Sequence, residues 1–151
     1  MYKIHTEIII RSKPERIWDI LLDFKNYPAW NPFLISIQGQ ALQRAMLSVV
    51  MKPRNSGKMA FKPKVLIVEN MKELRWLGRL VLPGLFDGEH ILSLRQANPE
   101  ETIFVQEENF NGILVPLLKK MLEQNTKPAF EEMNIALKKL AEDPNYIKAV
   151  E

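Results

Sequence analysis

A chain of 151 residues that is 46% apolar and 26% charged has the size and composition of one globular domain spanning 1–151, large enough to stay folded without metal or disulfide. The absence of cysteine excludes disulfides, thiolate chemistry and Cys-based zinc or iron–sulfur sites. A net charge of only +3, from 21 Lys and Arg against 18 Asp and Glu, gives no reason to expect a nucleic-acid partner.

Met1 to Ile10 has neither the basic start nor the apolar core of a secretory leader. No apolar run approaches the ~18 residues of a membrane span, so a soluble, cytoplasmic protein without stable membrane insertion is expected. Tyr2 to Ile10 reads as a strand, with Ile4, Ile8 and Ile10 on one face and Lys3, His5 and Glu7 on the other. A helix follows, carrying Ile17, Trp18, Ile20, Leu21 and Leu22, and Ser12 with Glu15 forms a capping-box pattern around Pro14. Pro28 and Pro32 break the helical run between Asp23 and Pro32.

From Phe33 the period is 2. Phe33 to Gln38, Ala45 to Met51, Lys58 to Glu69, Leu74 to Leu82, Phe86 to Gln96 and Thr102 to Phe110 are β-rich runs divided by turn signals. Lys58, Lys62 and Lys64 share one parity and Met59, Phe61 and Val65 the other, the pattern of a half-buried strand with a solvated face or an anion-binding patch. After Gly112 the period becomes 3.6, with Leu118, Met121, Leu122, Phe130, Met133, Leu137 and Leu140 at spacings of three and four. This predicts a helix from about Val115 to Glu142, kinked near Gln124 to Thr126 because Pro128 clashes with the carbonyl four residues back. The expected class is α+β: a curved seven-stranded antiparallel sheet wrapped around a long C-terminal helix, with short helices between the first two strands. Curled sheet and lid helix leave an apolar concavity suited to a small hydrophobic ligand.

The stretch Ile17-Trp18-Asp19-Ile20-Leu21-Leu22-Asp23-Phe24-Lys25-Asn26-Tyr27-Pro28-Ala29-Trp30-Asn31-Pro32-Phe33 resembles the N-terminal signature of the SRPBCC superfamily. This is the START/Bet v 1-like, helix-grip group that includes polyketide cyclase/dehydrase-like proteins. Trp76-Leu77-Gly78, Gly88-Glu89-His90-Ile91-Leu92-Ser93-Leu94 and Glu108-Asn109-Phe110-Asn111-Gly112 resemble its later landmarks in order, and Asn134 and Leu137 fit its final helix. The resemblance implies the helix-grip fold and a hydrophobic cavity between sheet and C-terminal helix. It implies no single activity, because the fold hosts lipid carriers, hormone receptors, cyclases and chaperone cofactors. Pro128 departs from a helix that usually runs on.

His90 and Glu108 are the candidate catalytic residues. If the loop after Gln96 has odd length, antiparallel register sets Leu94 opposite Phe104, Leu92 opposite Gln106 and His90 opposite Glu108. An imidazole held by a carboxyl group in an apolar pocket is an acid–base pair, a ligand contact or a self-satisfied buried pair. The candidate ligand-binding set is Trp30, Trp76, His90, Leu92, Leu94, Glu108, Phe110, Leu118, Met121 and Leu122. Within it, Trp30 either gates the entrance or packs the helical corner, and Trp76 is either cavity wall or core. Two histidines and no cysteine give no metal site, and no cofactor motif is present. Three functions stay open: a carrier of a lipid, isoprenoid, polyketide-like or aromatic molecule; a cofactor-independent cyclase or dehydratase using His90 and Glu108; or an interaction module using surface lysines, as monomer or homodimer.

Overall fold

The computed structural model describes residues 1–80 and 82–147. Strand β1 (Tyr2–Ile10) leads into helix α1 (Pro14–Leu22), a 3₁₀ turn (Phe24–Asn26) and one further helical turn, α2 (Tyr27–Trp30). Strands β2 (Leu34–Gln38), β3 (Ser48–Met51), β4 (Met59–Phe61), β5 (Lys64–Glu69), β6 (Glu73–Arg79), β7 (Asp87–Asn98) and β8 (Glu101–Asn111) follow. Helix α3 (Val115–Met121), a π-helical turn (Leu122–Thr126) and helix α4 (Lys127–Glu142) close the chain as one long helical segment. This is the helix-grip arrangement expected from the sequence.

All strand pairs are antiparallel, in two sheets ordered β1-β8-β7-β6-β5 and β2-β3-β4. The expected single run from Lys58 to Glu69 is two strands, β4 and β5. Pro63 between them has no N–H for a ladder, and the chain changes sheet there. The two sheets stay joined through backbone bonds from Leu47 N–H to Pro63 O (2.9 Å) and from Val65 N–H to Ala45 O (2.8 Å). The β7–β8 register pairs Leu94 with Phe104, Leu92 with Gln106 and His90 with Glu108, as predicted. The hairpin turn itself is the two residues Pro99 and Glu100, not the odd-length loop on which the predicted register was conditioned. Asn98 already pairs with Glu101, and an irregularity between Gln96 and Asn98 absorbs the extra residue.

The capping box of Ser12 and Glu15 does not form. Lys13 occupies the N-cap of α1 without a side-chain bond. Ser12 is instead buried, its carbonyl accepting the Thr102 hydroxyl at 2.8 Å. Pro14 does stand in the first helical turn, where its missing N–H costs nothing. At the other corner Asn31 is buried, and its Oδ1 accepts the amides of Phe33 and Leu34, both at 2.9 Å. Those donors would otherwise be orphaned between α2 and β2. Asn31→Ala is therefore expected to lower stability by about 1–3 kcal/mol, read as a shifted urea midpoint at unchanged slope.

Pro128 acts where predicted. The helix does not break but widens: the Lys127 N–H bonds to Leu122 O, five residues back, which is the π geometry. The Asn125 carbonyl in that turn accepts the amide of Arg54 at 3.0 Å, and Tyr2 donates its phenol to Glu123 at 2.8 Å. Burial, then that hydrogen bond and the Glu123 charge, push the Tyr2 pKa up to about 12, so the phenol keeps its proton throughout the neutral range. The inward face of α4 is Phe130, Met133 and Leu137, all fully buried. Asn134 donates to the Thr6 hydroxyl at 2.9 Å, Thr6 donates to Gln106 O at 3.1 Å, and the Gln106 amide reaches the Met133 sulfur at 3.2 Å. These buried contacts fix α4 across β1 and β8.

Candidate functional site

The site begins with two glycines. Gly78 on β6 and Gly88 on β7 face each other across the ladder, leaving a bare strip on the sheet. The β4 side chain Phe61 fills the strip on one side: a Cβ on Gly78 would lie 2.9 Å from its ring. Glu108 fills the other, and a Cβ on Gly88 would lie 2.4 Å from its Oε1. Both glycines are close-approach positions, and both stand in the motifs singled out in the sequence.

Next to this strip is an apolar cavity of about 110 Å³. Its walls come from the β3–β4 hairpin (Met51, Met59, Phe61), from the β6–β7 connection (Leu80, Phe86), from β8 (Phe110) and from the helix at Met121 and Leu122. Polar lining is sparse: Glu108 and Arg79 from the sheet, with Ser56, Asn125 and Thr126. Three methionines give the wall flexible thioethers that re-pack around different shapes.

Glu108 joins this cavity to the core. Its Oε2 lies 3.3 Å from His90 Nδ1. His90 is fully enclosed by aromatic rings: Trp76 stacks on it at 5.1 Å and 11°, Phe130 meets it edge-on at 5.1 Å, and Phe33 lies at 6.4 Å. The second ring nitrogen, Nε2, is buried without a hydrogen-bond partner among the described residues. Imidazole and carboxyl group thus divide the work of position: Glu108 faces the cavity, and His90 holds it from behind.

Among the sequence-selected ligand residues, Glu108, Phe110, Met121 and Leu122 line the cavity. Trp76, Leu92 and Leu94 belong to the packed core, with His90 among them. Leu118 is half-buried on α3. Trp30 packs the helical corner, edge-on to Tyr27 at 5.1 Å, and lies outside the cavity lining. The β3–β4 wall was missed. Met59 and Phe61 read as the inner face of an ordinary strand, and what turns them into a wall is a fold-back over Gly78 that leaves no local periodicity. The strand glycines were the available signal. Among the described residues no cluster of His, Asp and Glu is arranged to hold a metal, and no helix is long and apolar enough to cross a membrane.

Residues 1–142 match the family described as polyketide cyclase / dehydrase and lipid transport. The chain belongs to that family. No curated protein matches it by sequence. Among solved structures, a START superfamily protein from Mycobacterium smegmatis is 19% identical with a TM-score of 0.71, over 94% of this chain and 98% of that one. The Zhui aromatase/cyclase from Streptomyces sp. R1128 is 12% identical with a TM-score of 0.76, covering 93% of each chain. A protein from Mesorhizobium loti is 16% identical with a TM-score of 0.72, over 96% of this chain and all of that one. At these identities the likeness is one of fold.

Proposed function

We propose that this member of the polyketide cyclase / dehydrase and lipid transport family binds a small, mostly apolar molecule with its polar end directed at Glu108. The observation that carries the reading is the cavity itself: an apolar, methionine-rich wall with a single carboxyl group converging on it. Ligand sites have this character, apolar lining with a few placed polar groups that fix orientation. The volume of about 110 Å³ is below the ~300–1,000 Å³ of sites for drug-sized ligands. A ligand of that size therefore displaces the Met51, Met59 and Met121 side chains or extends through the mouth.

A second reading, a cofactor-independent cyclase or dehydratase, is favoured by the contact between His90 and Glu108. In it Glu108 is the group that meets substrate and exchanges a proton with it. His90, sealed behind, is a positioning residue that holds the carboxyl group.

Native and then denaturing mass spectrometry of the protein from its expression host tests the first reading. A discrete apolar species that leaves on unfolding is expected, and Glu108→Gln should weaken its retention about fivefold, the value of one hydrogen bond. An empty protein whose affinity for the apolar dye 1-anilinonaphthalene-8-sulfonate is unchanged by Glu108→Gln would count against it. The enzyme reading predicts another split, in which Glu108→Gln leaves the molecule bound but stops its conversion.

A further inference from the structure

Several of the exposed apolar side chains gather around the cavity. Leu82 is 63% exposed, and Ile113 and Leu117 are each 79% exposed. The segments that carry them are bonded together: Ile113 N–H donates to Gly84 O and Leu114 N–H to Leu85 O, both at 3.1 Å. Leu80, Met59 and Met121 are exposed as well, and these three line the cavity. The apolar patch is therefore the rim of the cavity mouth. On α3, Leu117 and Met121 stand one turn apart on one face, with Lys120 beside them and Ile113 in the turn that precedes the helix.

A rim of this kind on a charged domain calls for a partner, and the surrounding charge indicates which. Lys58 and Lys62 flank the β4 wall of the mouth and Lys120 flanks that face of α3. All three are exposed, with no ion pair among the described residues. Arg79 stands in the cavity wall, its nearest carboxylate being Asp87 at 3.9 Å. Exposed apolar side chains flanked by lysines match the boundary of an anionic bilayer, where each basic residue gains from the surface potential and each apolar one from the acyl layer.

We propose that this rim docks on the surface of an anionic lipid bilayer, placing the cavity mouth against it. Leu82, Ile113 and Leu117 enter the headgroup–acyl boundary, while Lys58, Lys62 and Lys120 meet the headgroups. The docking goes beyond the ligand reading and does not require the cavity to be filled by a lipid.

Flotation with vesicles decides it. The full chain is mixed with phosphatidylcholine vesicles, or with vesicles of equal parts phosphatidylcholine and phosphatidylglycerol, at low and at raised salt. Binding to the mixed vesicles alone, weakened by salt, is expected. Ile113→Gln with Leu117→Gln should cut partitioning about tenfold per side chain, and Lys58→Glu with Lys120→Glu should also release the protein, with unchanged thermal melting in both variants. Failure to float, equal floating on both vesicle types, or floating that survives both pairs of substitutions overturns the proposal. So does a dimer in sedimentation that the glutamine pair splits, which would assign the rim to a second copy of the chain. A protein that floats but emerges empty from mass spectrometry separates this docking from the ligand reading.

Discussion

Replacing Trp76 with alanine is expected to lower the unfolding free energy by about 3–5 kcal/mol. The indole is 1% exposed and stands directly across the β6–β7 ladder from His90. Its ring covers one face of the imidazole at 5.1 Å, nearly parallel. Truncation removes the largest buried side chain of the region and leaves a void beside a histidine whose Nε2 already lacks a partner among the described residues. Against a typical total of about 5–15 kcal/mol for a domain, that loss is a large part of the whole. Guanidinium denaturation at constant slope measures it. A loss below about 1 kcal/mol would contradict a core role and would mean that Trp76 is a wall able to move with ligand.

Gly112→Ala should have the next largest effect, concentrated at the mouth. The φ of Gly112 is +125°, a region that costs a residue with a side chain about 1–3 kcal/mol. A Cβ there would also lie 2.4 Å from Leu85 O and 2.6 Å from Leu85 C, which are backbone atoms with no rotamer to escape into. The methyl group must push the β6–β7 connection away from the start of α3. The bonds from Ile113 to Gly84 and from Leu114 to Leu85 are the ones that lengthen. Amide hydrogen exchange at Ile113 and Leu114 should accelerate well beyond the change at the core strands. If exchange and melting temperature are both unchanged, the two loops are not locked as described.

Much of this was legible in the chain. The β7–β8 register followed from parity and the position of one turn, so the pairing of His90 with Glu108 was available from sequence, because a one-residue slip would invert every side chain on the hairpin. The place of the helical irregularity followed from Pro128, but its form did not: a kink was expected and the turn widens instead. What parity could not give was depth. His90 and Glu108 share a face, yet one is enclosed by Trp76, Phe33 and Phe130 while the other reaches the cavity, and that division depends on rings brought in from α4 and β6. The cavity wall at Met59 and Phe61 was hidden for a similar reason. Pro63 sends β4 into a different sheet from β5, and no spacing within either strand records where it lands. Ser12 and Glu15 misled because a matching pair of residue types says nothing of a competing acceptor, here the Ile10 carbonyl, which takes the Ser12 amide at 2.9 Å.

The π turn also settles the phase of the helical segment. On an unbroken α-helix Lys119 would stand about three full turns before Phe130, on the same azimuth, and so would point into the core. The turn at Leu122–Thr126 takes up one residue more than an α turn, which rotates everything before it by about 100°. Leu118 then takes the inward azimuth and is half-buried, while Lys119 swings outward to lie 5.4 Å over the Tyr2 ring. The backbone irregularity keeps two amphipathic segments in step that a regular helix would set at odds.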